Sequence, residues 1–410
     1  MVEYLERAIE PLIVALFSEV PGLLLTGPRA TGKTTTARRH VKTIISLDRP
    51  DEATAFRADP DAALRYLDEP ILLDEWQAVP DVLGAVKRAI DADPRPGRYL
   101  LTGSVRADLE APTWPGTGRL IRLAMYPMTV AEQLGRPNTE PLLDRLARGA
   151  QLKVPDDPPD LCGYVELALR GGFPQAALSL SDGVRRRWLE AYIEQILTRD
   201  VELLEGHRDP VRMRQYFEAN VLNTAGLVAH RTLYHAAGID RKTAIAYDRL
   251  LTNLMIVTTL PAWSTNRFKR LVRTPKRYIL DPALVAGTLK LDTPAVLRDG
   301  DQLGRLIDTF VLAQLRAEET VTEIRPRFYH LRMEEGRHEV DVIAEFGARK
   351  IIGIEIKAGN APSRDDARHL IWLRERLGQD FVAGVVLHTG SRVYPLADGV
   401  LAAPICTLWA

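Results

Sequence analysis

Cysteine is nearly missing from this chain. The two present among 410 residues, Cys162 and Cys406, lie far apart and have no partners at metal-ligand spacing. That argues against a disulfide framework or a zinc site, and for buried thiols in a reducing compartment. Net charge is missing as well: 54 Lys and Arg balance 54 Asp and Glu, so no global field draws the chain to nucleic acid or membrane. Any such binding must come from a local patch. The 8 histidines are scattered and make neither a metal pair nor a catalytic dyad. Long apolar runs are absent too, since Leu12 to Phe17 falls far short of the roughly 20 residues a membrane helix needs. The first ten residues, MVEYLERAIE, bring acids early and no basic segment ahead of an apolar one, which is not a secretory signal. A cytoplasmic protein without a membrane partner is expected. What the chain does have is length and a 46% hydrophobic fraction, enough for two to four domains with their own cores.

The chain is organised around Gly27 to Thr34, GPRATGKT, which follows the apolar run Gly22 to Leu25 and precedes the helix-compatible Thr35 to Val41. Strand, glycine loop and helix in that order fit the P-loop pattern. Gly27 and Gly32 let the backbone turn its amides toward phosphate oxygens, Lys33 reaches the phosphates as a point charge, and the Thr34 hydroxyl can ligate Mg²⁺. The expected ATP-binding surface is therefore Gly27, Pro28, Arg29, Ala30, Thr31, Gly32, Lys33, Thr34 and Thr35. Around it, Tyr4 to Phe17 is expected as an opening helix, Thr43 to Leu47 as a strand, and residues 59–68 as a helix capped by Asp59. Pro70 to Glu75, PILLDE, reads as a buried parallel strand ending in two carboxylates. Asp74 is expected to hold Mg²⁺ and Glu75 to polarise the attacking water. Arg98 to Ser104 is another apolar strand, whose Thr102 or Ser104 could contact the γ-phosphate or the water. Gly118 to Leu123 carries Arg119 and Arg122; Arg119 is favoured as a finger supplied to a neighbouring subunit, which requires a homo-oligomer.

GPRATGKT, then ILLDE followed by Trp76 and Gln77, then LLTGS, GRL and Tyr126-Pro127-Met128, resemble the AAA+-type ATPases of prokaryotes that are fused to the domain of unknown function numbered 4143. The resemblance runs over nearly the whole chain and extends to GGFP at 171–174 and to Arg199-Asp200. It implies Lys33 and Thr34 for ATP and Mg²⁺, Asp74 and Glu75 for metal and hydrolysis, and Arg119 as the finger.

Residues 136–160, rich in Pro, Asp and Gly, read as a linker. Ser181 to Leu204 reads as an amphipathic helix with Trp188, Leu189, Tyr192, Ile193, Ile196 and Leu197 in one core-facing stripe. Residues 231–260 suggest a winged helix-turn-helix, with Arg241 and Lys242 at the exposed start of its second helix and a basic wing containing Arg267, Lys269, Arg270, Arg273, Lys276 and Arg277. DNA and a protein partner are both candidates for that surface. Further on, HEVDVIAE and KIIGIEIK place Asp341, Glu355 and Lys357 at strand positions of matching parity. Two carboxylates and a lysine can serve metal-assisted phosphodiester hydrolysis. This resembles the PD-(D/E)XK nuclease core, with Asp308 on the preceding helix. It departs from the pattern in having Val340 before Asp341 and an Asp where relatives often carry Glu, so cleavage and a purely docking role both stay open. The expected architecture is α/β: a P-loop ATPase sheet with helices on both faces (1–136), a linker and helical segment (137–220), a winged helix (221–298) and a nuclease-like α/β domain (299–410).

Overall fold

The computed structural model describes residues 4–103, 117–200, 209–266, 274–333, 337–347 and 349–410, without the side chains of Arg199 and Asp200. Ser104, Arg267, Lys269, Arg270 and Arg273 lie outside the described residues. Two compact units result: Met1–Met128 with Asn253–Met255, and Thr129–Thr252 with Ile256–Ala410.

In the first unit the apolar runs form a five-stranded sheet of β1 (Gly22–Thr26), β2 (Thr43–Ser46), β3 (Ile71–Asp74), β4 (Tyr99–Gly103) and β5 (Leu120–Ala124), in the order β2-β3-β4-β1-β5. Every pairing is parallel. All residues of β1, β3 and β4 are buried, so both faces of these strands are covered and continuous apolarity is required of them. The register sets Thr26 beside Gly103 and Ser46 beside Asp74, so the strands end along one edge. That edge is where an open parallel sheet builds its ligand site. The opening helix is shorter than the periodicity suggests, Glu10–Phe17, because Pro11 at its start presets the first turn and residues before it are free to run elsewhere. They run against the glycine loop, as described below.

The second unit begins with helices. The stretch at 136–160 is not a free linker: Leu142–Ala147 is a helix whose Leu142, Leu143 and Leu146 are buried, and the buried Arg145 donates to the carbonyls of Thr407 and Ala410. Pro and Asp flank this element rather than dissolve it. The amphipathic helix occupies Asp182–Gln195 with a π-turn over Ile196–Asp200; Leu189, Tyr192, Ile193, Ile196 and Leu197 are core, and Trp188 stacks on Tyr192 with centroids 5.2 Å apart. The helices His230–Ala236 and Arg241–Asn253 follow, then β6 (Val257–Leu260) and β7 (Lys276–Ile279), which pair antiparallel.

A second sheet closes the unit: β8 (Arg327–Met333), β9 (His338–Phe346), β10 (Lys350–Lys357), β11 (Phe381–His388), β12 (Tyr394–Ala397) and β13 (Val400–Pro404), in the order β12-β13-β11-β10-β9-β8. β8, β9 and β10 are antiparallel neighbours, and β10 and β11 are parallel. The helix Arg368–Leu377 makes the crossover between β10 and β11 that a parallel pair needs, and its Leu370 and Leu373 share a core with Ile343, Ile351 and Phe381.

Candidate nucleotide site and a second carboxylate cluster

Gly27 is where only glycine fits, since a Cβ there would lie 2.1 Å from the Met125 carbonyl oxygen. Gly32 sits at φ 91°, a left-handed conformation that costs glycine nothing, and it starts the helix Lys33–Ala37. The Lys33 side chain is buried, and its Nζ donates to the Pro28 carbonyl at 2.7 Å. Thr31 Oγ1 donates to the same carbonyl at 2.9 Å. Arg29, Ala30 and Thr35, also expected at the phosphates, are exposed.

At the end of β3 the Asp74 carboxylate Oδ1 accepts from Thr34 Oγ1 at 2.8 Å and from the Thr102 hydroxyl of β4. Of the two hydroxyls proposed on that strand, Thr102 is thus beside the acid. Glu75 follows in a left-handed conformation, φ 52°, and accepts from the Gln77 side-chain amide. Burial pushes the Lys33 ammonium down to about 8, against the pull of Glu75 and Asp74. Burial raises the Glu75 carboxyl, opposed by Lys33.

These residues fit a Mg²⁺ nucleotide. A hydroxyl and a carboxylate in contact form an oxygen pair for a hard cation, and the buried ammonium now rests on a loop carbonyl where a phosphate oxygen would be the stronger partner. One expectation concerns pH. Only protonated Lys33 attracts phosphate, and in the free protein it loses its proton near pH 8. Nucleotide affinity should therefore weaken as pH rises through that value, by about tenfold between pH 7 and pH 9, in fluorescence titrations with a labelled ATP. An affinity flat over this range would place the Lys33 ionisation elsewhere.

Sequence reasoning missed two neighbours. Arg7 is 4% exposed and donates to the Thr31 carbonyl and the Tyr126 carbonyl, each at 2.8 Å, tying the loop to the exit of β5. Nothing in the pattern around Arg7 separates a buried arginine from a solvated one. Gln77, two residues past the acid, donates to the Glu75 carboxylate, a contact that its place in the resemblance does not explain. Arg119 stands just before β5, at the end of the sheet away from the glycine loop, since Gly22 is level with Leu120. Its Nε donates to Asp91 Oδ1 at 2.8 Å. Within one chain Arg119 is a surface ion-pair residue, and any finger role belongs to an assembly.

In the second unit Asp240 caps the helix Arg241–Asn253 by accepting from the Lys242 and Thr243 amides, leaving Arg241 and Lys242 exposed. Two of the expected wing cations turn inward. Arg277 makes a bidentate pair with Asp248 at 2.9 and 2.8 Å, and Asp248 also accepts from the Tyr216 hydroxyl. Lys276 is buried between Asp308, 2.7 Å away, and Asp341, 3.0 Å away. A run of basic residues looks the same in sequence whether its members face water or carboxylates.

Asp341 and Glu355 do come together. Asp341 Oδ2 accepts the Ile356 amide at 3.0 Å, and Glu355 Oε2 accepts Lys357 Nζ at 3.1 Å. Burial raises Glu355 well above the carboxylate range, and the neighbouring Asp341 adds to it. Burial also works against ionised Asp341, but Lys276 and Lys357 outweigh it and hold that carboxyl below its usual value. Asp308 is raised to about 6 by burial in spite of Lys276. Among the described residues no group of three or more His, Cys, Asp and Glu side chains is placed to hold a metal ion; Asp308 and Asp341 share the Lys276 ammonium instead.

A P-loop and an acidic strand end on one edge of a parallel sheet define a nucleotide-binding unit, and residues 20–134 match the AAA domain family model. Residues 303–408 match the domain of unknown function DUF4143, so the chain joins an AAA-type domain to a DUF4143 domain. Between them, residues 163–295 match a further domain of unknown function, DUF8612, which spans the boundary expected at residue 220. The chain is similar to Uncharacterized protein Rv2008c of Mycobacterium tuberculosis and Uncharacterized protein Mb2031c of Mycobacterium bovis, each 28% identical over 388 residues, covering 94% of this chain and 80% of the relative. Among solved structures, the Walker-type ATPase PABY2304 of Pyrococcus abyssi aligns at a TM-score of 0.40 with 15% identity, over 70% of this chain and 96% of that one. No helix among the described residues is long and apolar enough to cross a membrane.

Proposed function

We propose that this chain is a Mg²⁺-dependent ATPase that couples nucleotide binding and hydrolysis to DNA binding or remodelling. The observation that carries the proposal is the hydrogen bond from Thr34 to Asp74, which brings the glycine loop and the acidic strand end together beside buried Lys33 and half-buried Glu75. In this reading Lys33 holds the phosphates, Thr34 and Asp74 hold Mg²⁺, and Glu75, steadied by Gln77, orients and polarises water. Mg²⁺ bound there would neutralise charge on the phosphate oxygens. Arg119 serves a neighbouring copy in a homo-oligomer. The domains are 1–136, 137–220, 221–298 and 299–410, the last with the order of elements of a PD-(D/E)XK nuclease and with Asp341, Glu355 and Lys357 as its acting residues.

Arg241 and Lys242, at the solvent-facing start of a capped helix, are the base-edge candidates; Arg267, Lys269 and Arg270 are the phosphate candidates. ATPase activity measured with and without duplex DNA at low salt should show stimulation. Reversing the charge at Arg241 and Lys242 should weaken DNA binding by about tenfold or more and flatten its salt dependence. DNA that neither binds nor stimulates would remove the coupling. The inward turn of Lys276 and Arg277 favours a second reading, a nucleotide-gated switch whose winged helix docks a protein partner. Unchanged ATPase behaviour in the charge-reversed variant would move the weight to that reading.

A further inference from the structure

Lys276 opens β7, and its side chain passes out of the β6–β7 hairpin into the C-terminal fold, where it is 5% exposed. Its ammonium lies 2.7 Å from Asp308 on the helix Gly300–Glu319 and 3.0 Å from Asp341 on β9. The other oxygens of those two acids are also engaged: Asp308 Oδ1 by the Tyr278 hydroxyl at 2.9 Å, and Asp341 Oδ2 by the Ile356 amide. Two carboxylates from separate elements thus converge on one buried point, and the charge at that point is a tethered +1. Glu355 stands beside Asp341 at 4% exposure, and its Oε1 has no hydrogen-bond partner among the described residues; His369 Nδ1 is 4.0 Å away.

Oxygens that converge in this way are the donors a hard divalent ion selects, and an ammonium at hydrogen-bond distance from both acids excludes such an ion from the same place. We propose that Lys276 is an internal latch, a tethered cation that stands where a divalent metal would bridge Asp308 and Asp341, so that the C-terminal domain admits metal only when β7 withdraws its lysine. This rests on reading Asp308, Asp341, Glu355 and Lys357 as a nuclease-like cluster. The arrangement links the hairpin that would carry the wing to the acids that would carry cleavage. Anything that pulls on the hairpin therefore acts directly on metal access.

The test uses the full chain, free of nucleotide, with Mn²⁺ alone as probe and electron paramagnetic resonance of unbound Mn²⁺ as readout. Wild type should take up no Mn²⁺ that Asp341→Asn abolishes. Lys276→Met, neutral and of similar length, should bind one Mn²⁺ per chain at least about tenfold more tightly than wild type, and Lys276→Met/Asp341→Asn should lose it. Lys276→Arg keeps the charge and should behave as wild type. If Lys276→Met does not fold unaided, recovery of its near-ultraviolet circular dichroism on refolding with Mn²⁺ but not with Na⁺ supports the latch, and no recovery overturns it. Asp341-dependent Mn²⁺ binding by wild type, or none by Lys276→Met, overturns it as well. Cutting of supercoiled plasmid separates the latch from the reading beneath it. Mn²⁺ bound by Lys276→Met without cleavage leaves the latch standing and removes nuclease activity.

Discussion

Glu75→Gln should bind ATP about as well as the parent protein and hydrolyse it at least about a hundredfold more slowly, as judged by phosphate release alongside equilibrium binding of a labelled nucleotide. The expectation follows from where the carboxylate sits. Glu75 is the first residue past β3, in a left-handed conformation that turns its side chain off the strand line, and Gln77 holds one of its oxygens. The neighbouring Asp74 accepts from Thr34 and Thr102 on one oxygen, which ties it to the glycine-loop hydroxyl and the metal role, and leaves the water to Glu75. A glutamine keeps size and hydrogen bonding but removes basicity, and therefore separates turnover from binding. Normal hydrolysis by this variant would move the water-polarising role to another group.

Lys33→Ala carries the other large effect, and it has two parts of opposite sign. Nucleotide affinity should fall by about a hundredfold or more, because a charge-assisted contact in a buried position is lost. The nucleotide-free protein, in contrast, should become more resistant to heat. A lysine whose ionisation is pushed down to about 8 by burial destabilises the fold wherever it stays protonated, fully so below that pH and progressively less up to its unfolded value near 10.5. At pH 7 the shift corresponds to on the order of 3 kcal/mol, which the alanine variant no longer carries. Thermal melts at pH 7 with and without MgATP measure both parts. A variant that melts lower and still binds nucleotide would contradict the burial of Lys33 in the site.

Much of the first unit could be read from the chain because its signals are local. Leu23 to Leu25 and Ile71 to Leu73 are continuously apolar because both faces of their sheet are covered, and Gly27 stands where a carbonyl leaves no room for a side chain. The later strands at 338–346 and 350–357 were visible from the alternation of charged and apolar residues, and their antiparallel register brings Asp341 and Glu355 together as their parity suggested. What stayed hidden depends on partners distant in sequence. Lys276 looks like one more cation of a solvated wing until Asp308 and Asp341 are placed around it. Arg7 gains its meaning only from carbonyls at Thr31 and Tyr126. The helix Leu142–Ala147 was masked by the prolines and aspartates flanking it, although its leucines are as buried as any in the fold.

The strand order β2-β3-β4-β1-β5 has a consequence for biosynthesis. β1 emerges early, yet both of its neighbours, β4 and β5, are translated some 75 to 100 residues later, and the carbonyl against which Gly27 turns belongs to Met125. Contacts of such long sequence separation form slowly. A nascent chain on the ribosome therefore leaves both hydrogen-bonding edges of the apolar strand β1 unpaired through most of the synthesis of this unit, and the glycine loop can take its final form only after residue 125 has cleared the exit tunnel.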